Sequence, residues 1–203
     1  ASNNTALGRL ALFANTTGLY NTAAGSGALE SNTTANHNTA FGKTALNANT
    51  TGTQNNAFGS NTLVQATTAN YNAAFGYAAL TATTTGGENT AIGHHSMAAN
   101  TTGNSNVAVG SYTLDANTTG HSLTACGWGS LGSNTTGLQN TAVGLRALRA
   151  NTTANNNTAV GYYALDANTT GYSNVAVGTT SLDANTTGYN NVGIGKDALG
   201  QNT

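Results

Sequence analysis

The sequence predicts an all-β fold, a parallel β-solenoid (β-roll). Three observations predict it: a 17-residue period without insertion or deletion, a glycine at one fixed place in every copy, and β-branched or apolar residues just before that glycine. With Asn4 as position 1, the later copies start at residues 21, 38, 55, 72, 89, 106, 123, 140, 157, 174 and 191, and the consensus is N-T-A-V-G-x-x-A-L-x-A-N-T-T-G-x-x. A period that never slips makes each copy one rung of a stack, because an insertion would misalign it with both neighbours. Helical repeats need about 33 residues to turn two helices, so 17 suits one coil of a solenoid. Residues 1–203 are thus expected to form a single repeat domain of twelve rungs.

Position 5 is glycine in all twelve copies, from Gly8 to Gly195, which is what a corner after a strand requires. The preceding "NTAVG" and "NVAVG" segments are strand-like. The following "YALDAN" is compatible with a second strand or a single helical turn, and propensity does not decide between them. Along a strand, positions 2 and 4 share a face and position 3 takes the other. Position 4 is apolar throughout (Leu7, Phe41, Ile92, Val160), and position 3 is alanine in every copy but the last, where it is Gly193. Both faces therefore read as covered. Position 4 is expected to line the coil's own core with the position 9 leucines, and the flat alanine face to pack on another chain of a trimer. The alternative is that alanine fills a cramped interior.

No rung is expected to stand alone. Ordering 17 residues costs on the order of 20–30 kcal/mol, whereas one leucine and one valine return only about 2–3 kcal/mol each. Rung-to-rung bonding must supply the difference. Asparagine fills position 1 in all copies but Leu123, and position 12 in all but Ala66 and Thr83; such columns are expected to form amide ladders along the stack. The position 12 residues also match the N-glycosylation pattern at Asn15, Asn32, Asn49, Asn100, Asn117, Asn134, Asn151, Asn168 and Asn185, which matters only in a host that glycosylates.

Charged residues make up 5% of the chain, far below the usual quarter, and the five Lys and Arg are scattered. A nucleic-acid partner, which needs a basic stripe, is not expected. Nor is membrane insertion, since no apolar run approaches about 18 residues. The start, "ASNNTALGRL", is neither a signal peptide nor an initiator methionine, and reads as a processed or excised end. The lone Cys126 excludes an internal disulfide. The chain ends are expected to meet those of other chains one residue out of register, extending the stack into a filament.

All charged residues, tyrosines and histidines and the lone tryptophan fall at the variable positions 6, 7, 10, 16 and 17. His94 and His95 adjoin, but consecutive side chains diverge in extended structure. Asp166 and Asp183 fall on adjacent rungs, where a solvated acidic column outweighs a calcium site. No catalytic, cofactor or metal constellation emerges, so the chain is expected not to be an enzyme. Trp128, Tyr162, Tyr163, Tyr172 and Tyr189 are the candidate surface contacts, for another surface or a cell-surface glycan. The double threonine column at positions 13 and 14 invites an ice-binding reading, with only one of the two columns able to face outward.

The string "NTAVGYYALDANTTGYSNVAVG" resembles the NTAxGxxAL…NTTG repeats of phage tail-fibre proteins and bacterial surface adhesins. Its "NVAVG" is similar to the SVAIG element of trimeric autotransporter adhesin heads, which are left-handed parallel β-rolls of shorter period. The resemblance covers the chain from Asn4 to Thr203 and implies an extracellular, elongated, trimeric fibre segment on a cell surface or virion. The expected function is that of a self-assembling structural subunit of an extracellular fibre. The alternative is the receptor-binding or adhesive shaft of a tail fibre or surface adhesin, with ice binding as a minor third.

Overall fold

The computed structural model describes residues 2–201; Ala1 and Thr203, the outermost members of the repeat pattern, lie outside the described residues. Twelve three-residue strands, from β1 (Thr5–Leu7) to β12 (Val192–Ile194), form one parallel sheet in which strand order follows chain order. Each strand pairs with the same positions of the next copy, as Thr5 with Thr22 and Val160 with Val177. The remainder of each rung is the crossover that any parallel pair needs. The molecule is a β-solenoid with a 17-residue coil.

The "YALDAN" segment is neither strand nor helix, and no helix occurs among the described residues. It is a run of turns in which positions 7 and 9 take the left-handed conformation, as Tyr163 (φ 56°) and Leu165 (φ 52°) do in one rung. The alternation of handedness turns successive N–H groups along the stack. The Gly27 N–H donates to Arg9 O of the preceding rung at 2.9 Å, while the Leu29 N–H donates to Ala45 O of the following rung at 3.0 Å. Turns are thus bonded between rungs as well as within them, as where the Asn32 N–H donates to Leu29 O at 3.1 Å, which satisfies backbone groups that would otherwise be buried unpaired.

Left-handed backbone costs an ordinary residue about 1–2 kcal/mol, and a β-branched one more because its Cβ substituents crowd the carbonyl. This accounts for column 9, which is leucine or Met97 and never valine or isoleucine although it is buried. The corner glycine is fixed twice over. Gly93 has φ 137°, open to glycine alone, and a Cβ there would sit 2.5 Å from the Gly110 carbonyl oxygen of the next rung.

The two strand faces are the reverse of the leading expectation. From Ala23 to Ala176 the position 3 alanines point inward and are fully buried with the column 9 side chains, as Ala108 is with Leu114. Position 4 points outward, leaving Ile92 42% and Val143 37% exposed. The interior is thin: column 9 fills it from the turn side, and a methyl group is what fits opposite. The cramped-interior alternative is the one observed, and the alanines do not form an outer face.

Both asparagine columns form ladders. At position 1, Asn38 Nδ2 donates to Gly52 O at 2.8 Å, closing its own rung, while its Oδ1 accepts the Asn55 N–H of the next rung at 2.9 Å. At position 12, Asn117 Nδ2 donates to Asn100 Oδ1 at 3.0 Å and to Gly120 O at 3.1 Å. The second ladder breaks where Ala66 stands, and Asn49 Oδ1 is left buried without a partner.

Two substitutions test this account. Ala66→Asn supplies the missing donor to Asn49, and a buried hydrogen bond replacing an unsatisfied acceptor should stabilise the chain by about 1–2 kcal/mol, read as an increased denaturation midpoint. Leu114→Ile keeps volume but puts a β-branched residue at φ 50°; it should cost about 2–3 kcal/mol, more than the roughly 1.5 kcal/mol ceiling of an ordinary isosteric core swap.

Candidate functional site

Three sets of columns of the solenoid present chemistry to solvent. The first is column 4 of the sheet. Its side chains project outward one rung apart, about 4.8 Å, and form one continuous apolar file. Phe41, Phe58 and Phe75 stack face to face, with centroids 5.1 and 4.9 Å apart and planes within 7°. Ile92, Val109, Cys126, Val143, Val160 and Val177 continue the file. Monomeric soluble proteins rarely expose so long an unbroken apolar feature.

The second is a ridge at positions 6 and 7. His94 and His95 were expected to diverge; instead their ring centroids lie 4.4 Å apart, because the left-handed turn at His95 (φ 53°) brings its side chain back beside its neighbour. Tyr77 stacks on His94 at 5.5 Å, His95 on Tyr112 at 5.8 Å, and Tyr112 meets Trp128 edge-on at 6.3 Å. Four consecutive rungs thus share one aromatic cluster. Asp115 lies beside it, half-buried; burial pushes its carboxyl above the usual range, and the positive potential of His95 and His94 partly offsets this. No hydrogen bond from the described residues reaches that carboxylate.

Further along the ridge, Arg146 lies over the Tyr163 ring at 4.3 Å and donates to the Tyr163 hydroxyl at 2.6 Å. Arg146 and Arg149 both pair with Asp166, at 3.2 and 3.1 Å. Asp166 is therefore half-buried between two guanidiniums, not part of a solvated acidic column with Asp183. Tyr162 packs against Tyr163 with centroids 4.3 Å apart.

Of the five candidate contact residues, Trp128, Tyr162 and Tyr163 belong to this ridge, while Tyr172 and Tyr189 stack at 5.0 Å on column 16. Tyr77 and Tyr112 were not singled out by sequence, and His94 and His95 were weighed there only as a catalytic or metal pair. The signal was available, since positions 6 and 7 are aromatic or imidazole in rung after rung from Tyr77 to Trp128.

The third is the threonine pair. Column 13 hydroxyls donate to the carbonyl of the next rung, as Thr118 Oγ1 does to Thr135 O at 3.1 Å, which occupies them in the ladder. Column 14, including Thr102, Thr119 and Thr136, is exposed. Asn32, Asn49, Asn100, Asn117, Asn134, Asn151, Asn168 and Asn185 are fully buried, with their amides in the position 12 ladder; Asn15, in the first rung, is part-buried. A glycan on the folded rung would displace the ladder at that point.

An open depression of about 290 Å³ is lined by Asn70, Tyr71, Thr85, Gly87, Glu88 and Asn104. Among the described residues no group of three or more His, Cys, Asp or Glu is placed to hold a metal ion, and no helix is long and apolar enough to cross a membrane. No family model, curated protein or solved structure matches the chain.

Proposed function

We propose that the chain is a structural segment of an extracellular fibre, in which copies associate side by side through column 4. The observation that carries this reading is the unbroken outward apolar file from Phe41 to Val177. Nothing in the rung requires it: the same backbone bonds form whether position 4 holds Ala24, Phe58 or Val160. Its apolar character answers to something outside the chain.

A strip one strand wide, about 10 Å, along twelve rungs at about 4.8 Å offers about 500 Å². Stable pairs bury about 800 Å² per partner, so a pair on this strip alone falls short. Three copies about a common axis cover the file from both sides and bring in the Thr and Val side chains of position 2. The repeat's resemblance to tail-fibre and adhesin sequences supports an extracellular fibre of this kind, and a rigid rod about 55 Å long per twelve rungs suits it.

Light scattering tests the reading directly. The chain should have three times its 20.2 kDa mass in solution. Val143→Glu with Val160→Glu, both on the exposed face, should return it to single-chain mass with its circular dichroism spectrum unchanged. A single-chain mass for the unaltered protein at every concentration would refute lateral association.

A further inference from the structure

We infer that the aromatic ridge formed by Tyr77, His94, His95, Tyr112 and Trp128, with the Asp115 carboxylate beside it, is a binding site for a neutral glycan chain. The inference stands on the variable columns and does not depend on association through column 4.

The fold does not ask for these residues. The backbone bond that places position 7 is the same in rungs that carry small residues and in rungs that carry rings: the Gly27 N–H donates to Arg9 O at 2.9 Å, and the His95 N–H to Tyr77 O at 3.0 Å. Position 6 is serine at Ser26, Ser60 and Ser111, and position 7 is threonine at Thr44 and Thr180. Rings nevertheless occupy four consecutive rungs, and Tyr77 and Trp128 are each 50% exposed. Three rung spacings, about 14 Å, give a platform for several consecutive sugar rings.

The chemistry selects the ligand. Aromatic faces carry negative electrostatic potential, and the C–H groups on one face of a pyranose present slight positive charge, so sugars stack there while their hydroxyls remain free at the edges. Those hydroxyls need acceptors. Asp115 offers one, since it accepts no hydrogen bond from the described residues while water still reaches it. A nucleic acid would also stack on rings, but it brings phosphates, and none of the ridge's four rungs carries a Lys or Arg to meet them, while Arg146 on the next rung is held by Asp166 and Tyr163. A sulfated or otherwise anionic glycan fails for the same reason. The neutral surroundings, rich in Thr, Ser and Asn, favour a polyhydroxylated, uncharged chain.

Trp128 is the only tryptophan, so its fluorescence reports on the ridge alone. Chitohexaose, cellohexaose and mannohexaose are titrated against the unaltered chain, with oligo-dT and dextran sulfate as charged comparators. At least one neutral oligosaccharide should give a saturable change in Trp128 emission, and the charged polymers none. Tyr112→Asn and Asp115→Asn, which introduce residues already tolerated at those positions in Asn61 and Asn47, should each weaken binding at least tenfold. Neither should lower the thermal midpoint, and the mass by light scattering should be unchanged, which separates this site from the column 4 interface. No response to any of the three neutral chains, equal affinity in both variants, or a preference for either charged polymer would overturn the assignment.

Discussion

Apart from a few turn bonds closed within the rung, such as Asn117 N–H to Leu114 O at 3.1 Å, each rung directs its backbone polar groups along the stack, where the neighbouring rungs satisfy them. That constraint explains most of the invariant sequence. The corner glycine is invariant because the next rung's carbonyl passes 2.3–2.9 Å from where a Cβ would be, as at Gly8, Gly42 and Gly110. Column 9 avoids β-branching because its left-handed turn sends N–H groups to the following rung. The asparagines serve the same end with side chains, the Nδ2 of column 1 tying the end of a coil to its start and its Oδ1 reaching the next coil. Small deviations show the rule: Leu123 still accepts the pattern through its own N–H, bonded to Asn106 Oδ1 at 3.0 Å, but has no oxygen to offer Asn140.

What the sequence makes legible follows from this. A strict period, an invariant glycine and two amide columns are statements about neighbours, and they can be read without coordinates. Which strand face is inside is a different kind of fact. Alternation groups positions 2 and 4 together, but it does not say whether they face in or out. Size misled the leading expectation, which took the larger side chains of column 4 for the core. In a coil this thin the opposing wall is already filled by Leu114 and its equivalents, and the inner place goes to Ala108. The rule that large apolar residues are buried holds for thick cores and fails for a cavity one side chain deep.

The ridge was illegible for a related reason. Reading His94 and His95 as extended made their side chains diverge, and Trp128 was read without its neighbours on the adjoining rungs. A left-handed residue at position 7 reverses the first reading, and a stack with one rung per 17 residues completes the second, because residues 17 or 16 apart become neighbours. Once the period is accepted, columns are the natural alphabet of the sequence. Clusters are then sought by reading down positions 6 and 7, where Tyr77, His94, His95, Tyr112 and Trp128 come in unbroken order.

The division between columns has a functional consequence. Positions 1, 3, 5, 9 and 12 are consumed by the stack, and a change there is felt by two neighbouring rungs. At positions 6, 7, 10, 16 and 17 a side chain bonds a neighbour's backbone only in some rungs, as Asn36 Oδ1 accepts the Leu19 N–H at 2.7 Å and Asn47 Nδ2 donates to Gly27 O at 3.0 Å, so their chemistry can vary rung by rung over a fixed frame. Column 4 lies between these two classes: always apolar or thiol, never charged, yet turned outward. A column kept apolar for the interior would be buried, and a column under no constraint would have collected some of the eleven charged residues that the other outward columns hold. The proposed lateral association rests on this uniform character along twelve rungs, because a second copy with the same period would match the column rung for rung.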